Sequence, residues 1–207
     1  MTLILNGSSG ISGVDGTIGN PALIGSDPDT GIRFSTGEVS ASINGVSGNV
    51  ALISGTARTA TPNTEIVFTG IQSWAKRLTV VFSTLSLNGS GNIILQLGTS
   101  VGIESTGYNS TANFLQGGVS SGSVNSSSGI VLLAGNTLNQ LTGSVVFNNI
   151  SGNLWVATGM WNYANQTTIT GFTAGDKTLS GVLSQLRINS SNAGDAFDSG
   201  SVNIIYE

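Results

Sequence analysis

The sequence predicts an all-β chain: a C-terminal antiparallel β-sandwich of jelly-roll type, preceded by an extended, glycine-rich N-terminal segment. Three observations predict it. Apolar residues fall in short runs rich in Val, Ile, Thr and aromatic side chains, with Gly, Asn and Ser clustered between them. Good helix formers are scarce, and Gly, Ser, Thr, Asn and Val interrupt every window in which a 3.6-residue period would develop. Beyond residue 60 there are about nine such runs with turn signals between them, the pattern of a sandwich or jelly roll.

Residues 1–60 come first. Glycine recurs there every few residues, and only short strands are expected, near 2–5, 31–35, 38–43 and 49–54. Phe34 is the sole aromatic in this stretch, so its own burial cannot offset ~1–2 kcal/mol per residue of backbone ordering. Recurrent Ile, Leu and Val nevertheless set it apart from a Gly/Ser linker. Ordering by association with other copies is the expectation. Residues 61–207 form the second domain, with strands expected at 66–69, 77–85, 92–98, 130–133, 141–149, 154–161, 167–172, 183–189 and 201–206. Asn88-Gly89, between the runs 77–85 and 92–97, predicts a hairpin through a type I′ turn. Residues 117–128, all Gly, Ser, Val and Asn, are expected to be either a mobile loop or a surface that becomes ordered on contact, and Ala174-Gly-Asp-Lys177 a turn. In 154–161 both pleat faces carry large apolar groups, which predicts a strand buried on two sides.

Composition excludes several chemistries. With no Cys and no His there is no thiol nucleophile, disulfide, imidazole base or zinc site of the usual kind. Six Lys and Arg in 207 residues cannot build a phosphate-binding stripe, so nucleic acid is not an expected partner. No apolar run approaches the ~20 residues of a membrane-spanning helix. Met1 to Gly10 lacks the basic start of a secretory signal, which predicts a chain made and kept in the cytosol until assembly. At 39% hydrophobic residues the chain is not disordered. Charged residues are only 8%, so solubility rests on Ser, Thr, Asn and Gly. Proteins usually blunt strand edges with Lys, Pro or bulges. Here there are 3 Pro, and Lys only at Lys76 and Lys177, so a homo-oligomer that pairs or covers its edges is expected.

Candidate functional residues are few. Paired carboxylates could run glycoside hydrolysis, but nothing in the spacing of Glu65, Glu104, Asp176, Asp195 and Asp198 brings two together. Turn hydrogen bonding accounts for Asp195 and Asp198, while a calcium site there or at Asp27 and Asp29 would need further oxygen ligands. No enzyme, cofactor or metal is expected. The rings of Trp74, Trp155, Trp161, Tyr108 and Tyr163 are faces on which a sugar can stack. Trp161-Asn162-Tyr163 puts two rings on one side of a strand, and the amides of Asn162 and Gln166 either hydrogen-bond sugar hydroxyls or serve as solvated turn residues. Tyr108, Trp161, Asn162 and Tyr163 are therefore the candidate glycan-contact residues. The competing assignment for the aromatics is core packing, which they dominate in a small sandwich. The adjacent cations Lys76 and Arg77 suit a solvated strand start, or contact with an acidic sugar or a neighbouring subunit.

Both ends of the chain resemble a known family. The opening Leu3-Ile-Leu-Asn-Gly-Ser-Ser-Gly-Ile-Ser-Gly-Val-Asp-Gly16, then Pro21-Ala22 and Asp27-Pro-Asp-Thr-Gly-Ile-Arg-Phe34, looks like the N-terminal segment of tail-fibre-type proteins of bacteriophages, especially cyanophages. The stretch Phe68-Thr-Gly-Ile-Gln-Ser-Trp-Ala-Lys-Arg-Leu-Thr-Val-Val-Phe82 resembles a motif of their C-terminal domains, with Gln72 where that motif carries Pro. So do Lys177-Thr-Leu-Ser-Gly181, Gln185-Leu-Arg-Ile188 and Phe197-Asp-Ser-Gly-Ser-Val-Asn-Ile-Ile-Tyr-Glu207. Residues 99–135 carry none of the resemblance. It implies a homotrimeric virion protein, a short tail fibre. Residues 1–60, with Leu3, Ile4, Leu5, Asn6 and Ile11 as docking residues, would attach to other virion proteins. The β domain would project towards host-surface polysaccharide. A capsid-decorating head fibre or cement protein would use the same parts, and a glycan-binding module without virion attachment is the alternative of another class.

Overall fold

The computed structural model describes residues 23–24, 31–35, 38–43, 46–49, 52–134, 136–166 and 168–207, and among them every regular element is a β-strand. The strands pair antiparallel. The chain divides into two units, one up to Leu52 and one from Ile53 to Tyr206.

In the first unit β1 (Leu23–Ile24), β2 (Gly31–Ser35), β3 (Glu38–Ile43) and β4 (Val46–Asn49) form a four-stranded sheet in chain order. β2 and β3 occupy the runs expected of them. Leu3, Ile4, Leu5, Asn6 and Ile11, read as docking residues, lie outside the described residues, as do Asp27 and Asp29.

The second unit begins earlier than the sequence suggested. β5 (Ile53–Ser54) and β6 (Arg58–Thr59) pair with the last strand, β18 (Phe197–Tyr206), in the registers Ser54↔Ile205 and Thr59↔Ser201. Residues 53–60 thus cover an edge of this unit, which moves the expected boundary at 60 back to 52. Between them and β18 run β7 (Glu65–Thr69), β8 (Arg77–Leu87), β9 (Ile93–Thr99), β10 (Gly102–Ile103), β11 (Tyr108–Gln116), β12 (Val119–Ser126), β13 (Ile130–Leu132), β14 (Leu141–Ser151), β15 (Leu154–Tyr163), β16 (Ile169–Thr178) and β17 (Gln185–Ser190). A nine-stranded sheet has the order β12-β11-β16-β15-β14-β8-β18-β5, with β6 also on β18. A five-stranded sheet has the order β10-β9-β17-β7, with β13 also on β9.

One hydrophobic core joins residues of both sheets. The larger sheet contributes Leu78, Val80, Phe147, Trp155 and Trp161, and the smaller Ile66, Phe68, Leu95, Leu97, Leu186 and Ile188, all buried. Alternation decides which side chains these are, because successive residues of a strand point to opposite faces. In β15 Trp155, Ala157, Trp161 and Tyr163 are buried while Met160 is 56% exposed. The expectation that this strand is buried on both sides is therefore corrected, since no described strand of the unit covers its outer face. A strand buried on both sides is β9, as is the short β13 beside it. The inner face of β9 is aliphatic, and on its outer face Gln96 accepts from Arg187 Nε at 2.8 Å and donates to the Ser128 carbonyl at 2.7 Å.

Three further expectations are corrected. β8 and β9 lie in different sheets, so residues 88–92 are a crossover and not a hairpin turn. Gly89 is needed there for close approach: a Cβ on it would lie 2.0 Å from Asp195 Oδ1. Residues 117–128 are not a loop; most of them form β12, paired with β11 from Gln116↔Val119 to Ser110↔Ser126. Gly117 and Gly118 have φ of 59° and 83° and make the two-residue turn, a backbone that side-chain-bearing residues rarely adopt. Asp176 lies inside β16 and not in a turn, paired with Asn109 and Val156.

Candidate functional site

The aromatic residues expected to contact glycan are core residues. Tyr108, Trp161 and Tyr163 are 4%, 2% and 2% exposed. Stacking on a sugar requires a ring face open to solvent, so these three cannot provide it, and that assignment is corrected. Trp161 and Tyr163 do share one side of β15, but that side faces the core. A Cβ on Gly171, opposite Trp161 in β16, would lie 2.1 Å from the indole, so the glycine makes room for the ring. The Tyr163 hydroxyl donates to the Leu133 carbonyl at 2.6 Å, and its ring lies 6.1 Å from that of Phe114. Burial pushes its pKa up to about 12. Asn162 alone of the four is exposed, paired with Thr142 and Thr170 on the outer face of the large sheet. Trp155 is buried, and Trp74 is half-buried with its ring 5.8 Å from that of Tyr206.

The acids are tied into the scaffold. Asp195 is 6% exposed and accepts from Gly91 N–H at 2.7 Å, Asn192 Nδ2 at 2.8 Å and Ser190 Oγ at 3.1 Å. It staples the crossover 88–92 to the crossover 191–196, which also exchange Asn88 N–H with the Ala196 carbonyl and Ser191 N–H with the Asn92 carbonyl. Asp198 accepts from Ser86 Oγ. Glu65 pairs with Arg187 at 3.2 Å, and Asp176 accepts from Asn109 Nδ2 at 3.2 Å. Glu104 pairs with Lys177 Nζ at 2.7 Å and accepts from the Ser180 hydroxyl and backbone N–H. Burial works to raise the Glu104 carboxyl, but the hydrogen bonds from Lys177 and Ser180, with the Lys177 charge, outweigh it and hold the pKa below its ordinary 4.5. Each of the five acids thus has a structural partner. Among the described residues no group of three or more acidic side chains is placed to hold a metal ion.

What the fold does assemble joins Tyr108 and the residues that follow it in β11 to the 117–128 segment. A groove of about 410 Å³ opens at the start of β11 and the end of β12, lined by Tyr108, Asn109, Ser110, Thr111, Asn125, Ser126 and Ser127. Its floor is fixed from behind. The Tyr108 hydroxyl accepts from Leu97 N–H at 2.6 Å, Tyr108 N–H donates to the Ser127 carbonyl at 3.1 Å, and Lys177 Nζ lies 5.4 Å from the centre of the Tyr108 ring. Lys177 also donates to the Thr106 carbonyl at 3.0 Å, which holds the strap 104–107 in place. Burial is the main reason the Tyr108 pKa is raised well above 10. Ser110 Oγ accepts from Val131 N–H at 3.0 Å, and Thr111 Oγ1 donates to Asn125 Oδ1 at 2.9 Å. The Asn125 amide N–H and the Ser127 hydroxyl make no side-chain hydrogen bond among the described residues. Hydroxyl and amide groups dominate the rim, and Asp176 next to Asn109 is the nearby carboxylate. Such a surface can hydrogen-bond a neutral, hydroxyl-rich ligand, and it holds no nucleophile beside a base. The paired glycines Gly117-Gly118, between Phe114-Leu115-Gln116 and Val119, were the available sequence signal for this hairpin.

No family model, curated protein or solved structure matches the chain.

Proposed function

We propose that the chain is a non-enzymatic structural protein of a bacteriophage particle, a short homotrimeric fibre. In this reading its first unit attaches to other virion proteins, and its second unit, a jelly-roll-like sandwich, contacts host-surface polysaccharide. The observation that carries it is the polar groove at the start of β11, whose uncharged hydroxyl and amide rim suits sugar hydroxyls. The crossing of the chain between two antiparallel sheets and the resemblance at both ends support the same reading. The test is binding of the full chain to arrayed bacterial surface polysaccharides. A bound glycan should be lost from the double variant Thr111→Ala/Asn125→Ala and retained by Asn162→Ala, which lies away from the groove. Equal binding by the double variant would remove the groove from the account.

Capsid decoration is the second reading, favoured by the outer face of the nine-stranded sheet, where β8, β14, β15, β16 and β11 carry ionisable groups, Arg77 and Asp176, at one margin only, which suits lateral packing in a shell. Copy number separates the two: tens of chains per particle for a fibre, hundreds for a decorating protein.

A further inference from the structure

We infer that the outer face of the nine-stranded sheet is covered by a second copy of this chain. The inference rests on the self-associating part of the proposed function and names the surface responsible.

The face follows from the register. Opposed residues in adjacent strands share a face, so Val81, Ser144, Met160, Phe172 and Asn113 form one row across β8, β14, β15, β16 and β11. The next row runs Thr79, Val146, Thr158 and Ala174, and ends there, because Thr111 beyond it lines the groove and stays uncovered. Their neighbours on these strands point into the core. Met160 is 56% exposed, Thr158 and Ala174 are exposed, and Val81, Val146 and Phe172 are only half-buried. An aromatic and several aliphatic side chains are therefore contiguous on an open sheet face, which marks an interaction surface in a protein with so few charges.

Three features point to another copy of the chain. First, charge: among the outward positions of these five strands only Arg77 and Asp176 are ionisable, both in the row that also holds Asn148 and Val156 at one margin. Two such faces meet without like-charge repulsion across their centre. Second, shape: open sheet faces pack on one another at ~10 Å, so copies grouped about one axis can turn this face towards each other. Third, size: five strands at ~4.8 Å across and about eight residues at ~3.4 Å along give roughly 650 Å². That lies within the roughly 600–1,000 Å² which each partner contributes to a standard stable interface.

The test uses the full chain. Thr158→Glu/Met160→Glu places two acids at the centre of the face, and Val101→Glu, at a site 95% exposed in the β9–β10 turn, is the control. Light scattering should give an oligomer for wild type and control. The double variant should associate at least ~100-fold more weakly, because each copy would bury two uncompensated charges. Circular dichroism checks that it remains folded. Because the chain has no cysteine, Met160→Cys carries a single thiol and gives an independent reading. Maleimide should label it at least ~10-fold more slowly than Val101→Cys, since access controls thiol reaction. An oligomeric wild type with an oligomeric double variant, or with a freely labelled Met160→Cys, overturns the face and leaves self-association standing. The face would then be open for a capsid or host component. A monomeric wild type overturns self-association itself.

Discussion

Asp195 and Gly89 should behave as one unit, and a double-mutant cycle measures this. Asp195→Ala removes the acceptor for Gly91 N–H and Ser190 Oγ, both buried, and for Asn192, which water can satisfy. Each buried donor left unsatisfied costs ~1–3 kcal/mol, and Ser190 can reorient, so a loss of about 3 kcal/mol is expected. For a unit of this size that corresponds to roughly 6–12 °C in Tm. Asp195→Asn keeps an oxygen for Gly91 and should cost less than half as much. Gly89→Ala places a Cβ 2.0 Å from Asp195 Oδ1 and 2.2 Å from its Cγ, with backbone on neither side to blame. Overpacking of that kind costs ~1–3 kcal/mol. With Asp195 already Ala, the three nearest obstructing atoms are gone. Gly89→Ala should then be close to neutral, giving a coupling of at least ~1 kcal/mol. Urea unfolding of the four proteins, with unchanged m-values, supplies the cycle. Additivity within ~0.5 kcal/mol would refute the staple, since distant, independent sites add to that tolerance.

Gly171→Ala should destabilise by ~1–3 kcal/mol or more and alter tryptophan fluorescence, because the new Cβ meets the Trp161 indole at 2.1 Å; a change below 0.5 kcal/mol, about the scatter of surface substitutions, would show that the ring packs elsewhere. Glu104, with its pKa held below 4.5, adds stability that is present above that value and lost as the pH falls through the depressed one. Glu104→Gln should therefore be less stable than wild type near neutrality, with the gap closing in acid; a gap independent of pH would place the effect in packing. All three tyrosines, Tyr108, Tyr163 and Tyr206, have pKa values raised from 10 by burial. Absorbance titration of the folded chain should show no phenol with a midpoint near 10, and stability should fall as the pH rises above 10, where the unfolded chain ionises first. A component titrating at 10 without unfolding would contradict the burial.

The branched and aromatic runs were legible because their side chains are the core. β2 and β3 match the expected runs, and β7, β8, β9, β13, β14, β15, β17 and β18 fall on theirs with ends displaced by a few residues. β11 and β12 were not legible, since Asn, Thr, Ser and Gly supply little apolar alternation. Their strand state comes from the ladder that runs from Tyr108↔Lys177 to Gln116↔Ile169. Asn88-Gly89 carried a strong local hairpin signal, but its glycine is required by the close approach of Asp195, more than a hundred residues away in sequence. At β15 the pattern placed Trp161 and Tyr163 on one side correctly. With apolar groups on both sides, it did not distinguish the core from the open face. Of the candidate groove, Tyr108 and the 117–128 segment stood out in the sequence, whereas Asn109, Ser110 and Thr111 did not, because these residue types also make turns.

Light scattering of the full chain at micromolar concentration tests self-association most directly. The account predicts a mass near three times 20.9 kDa. A single species at 20.9 kDa would contradict it.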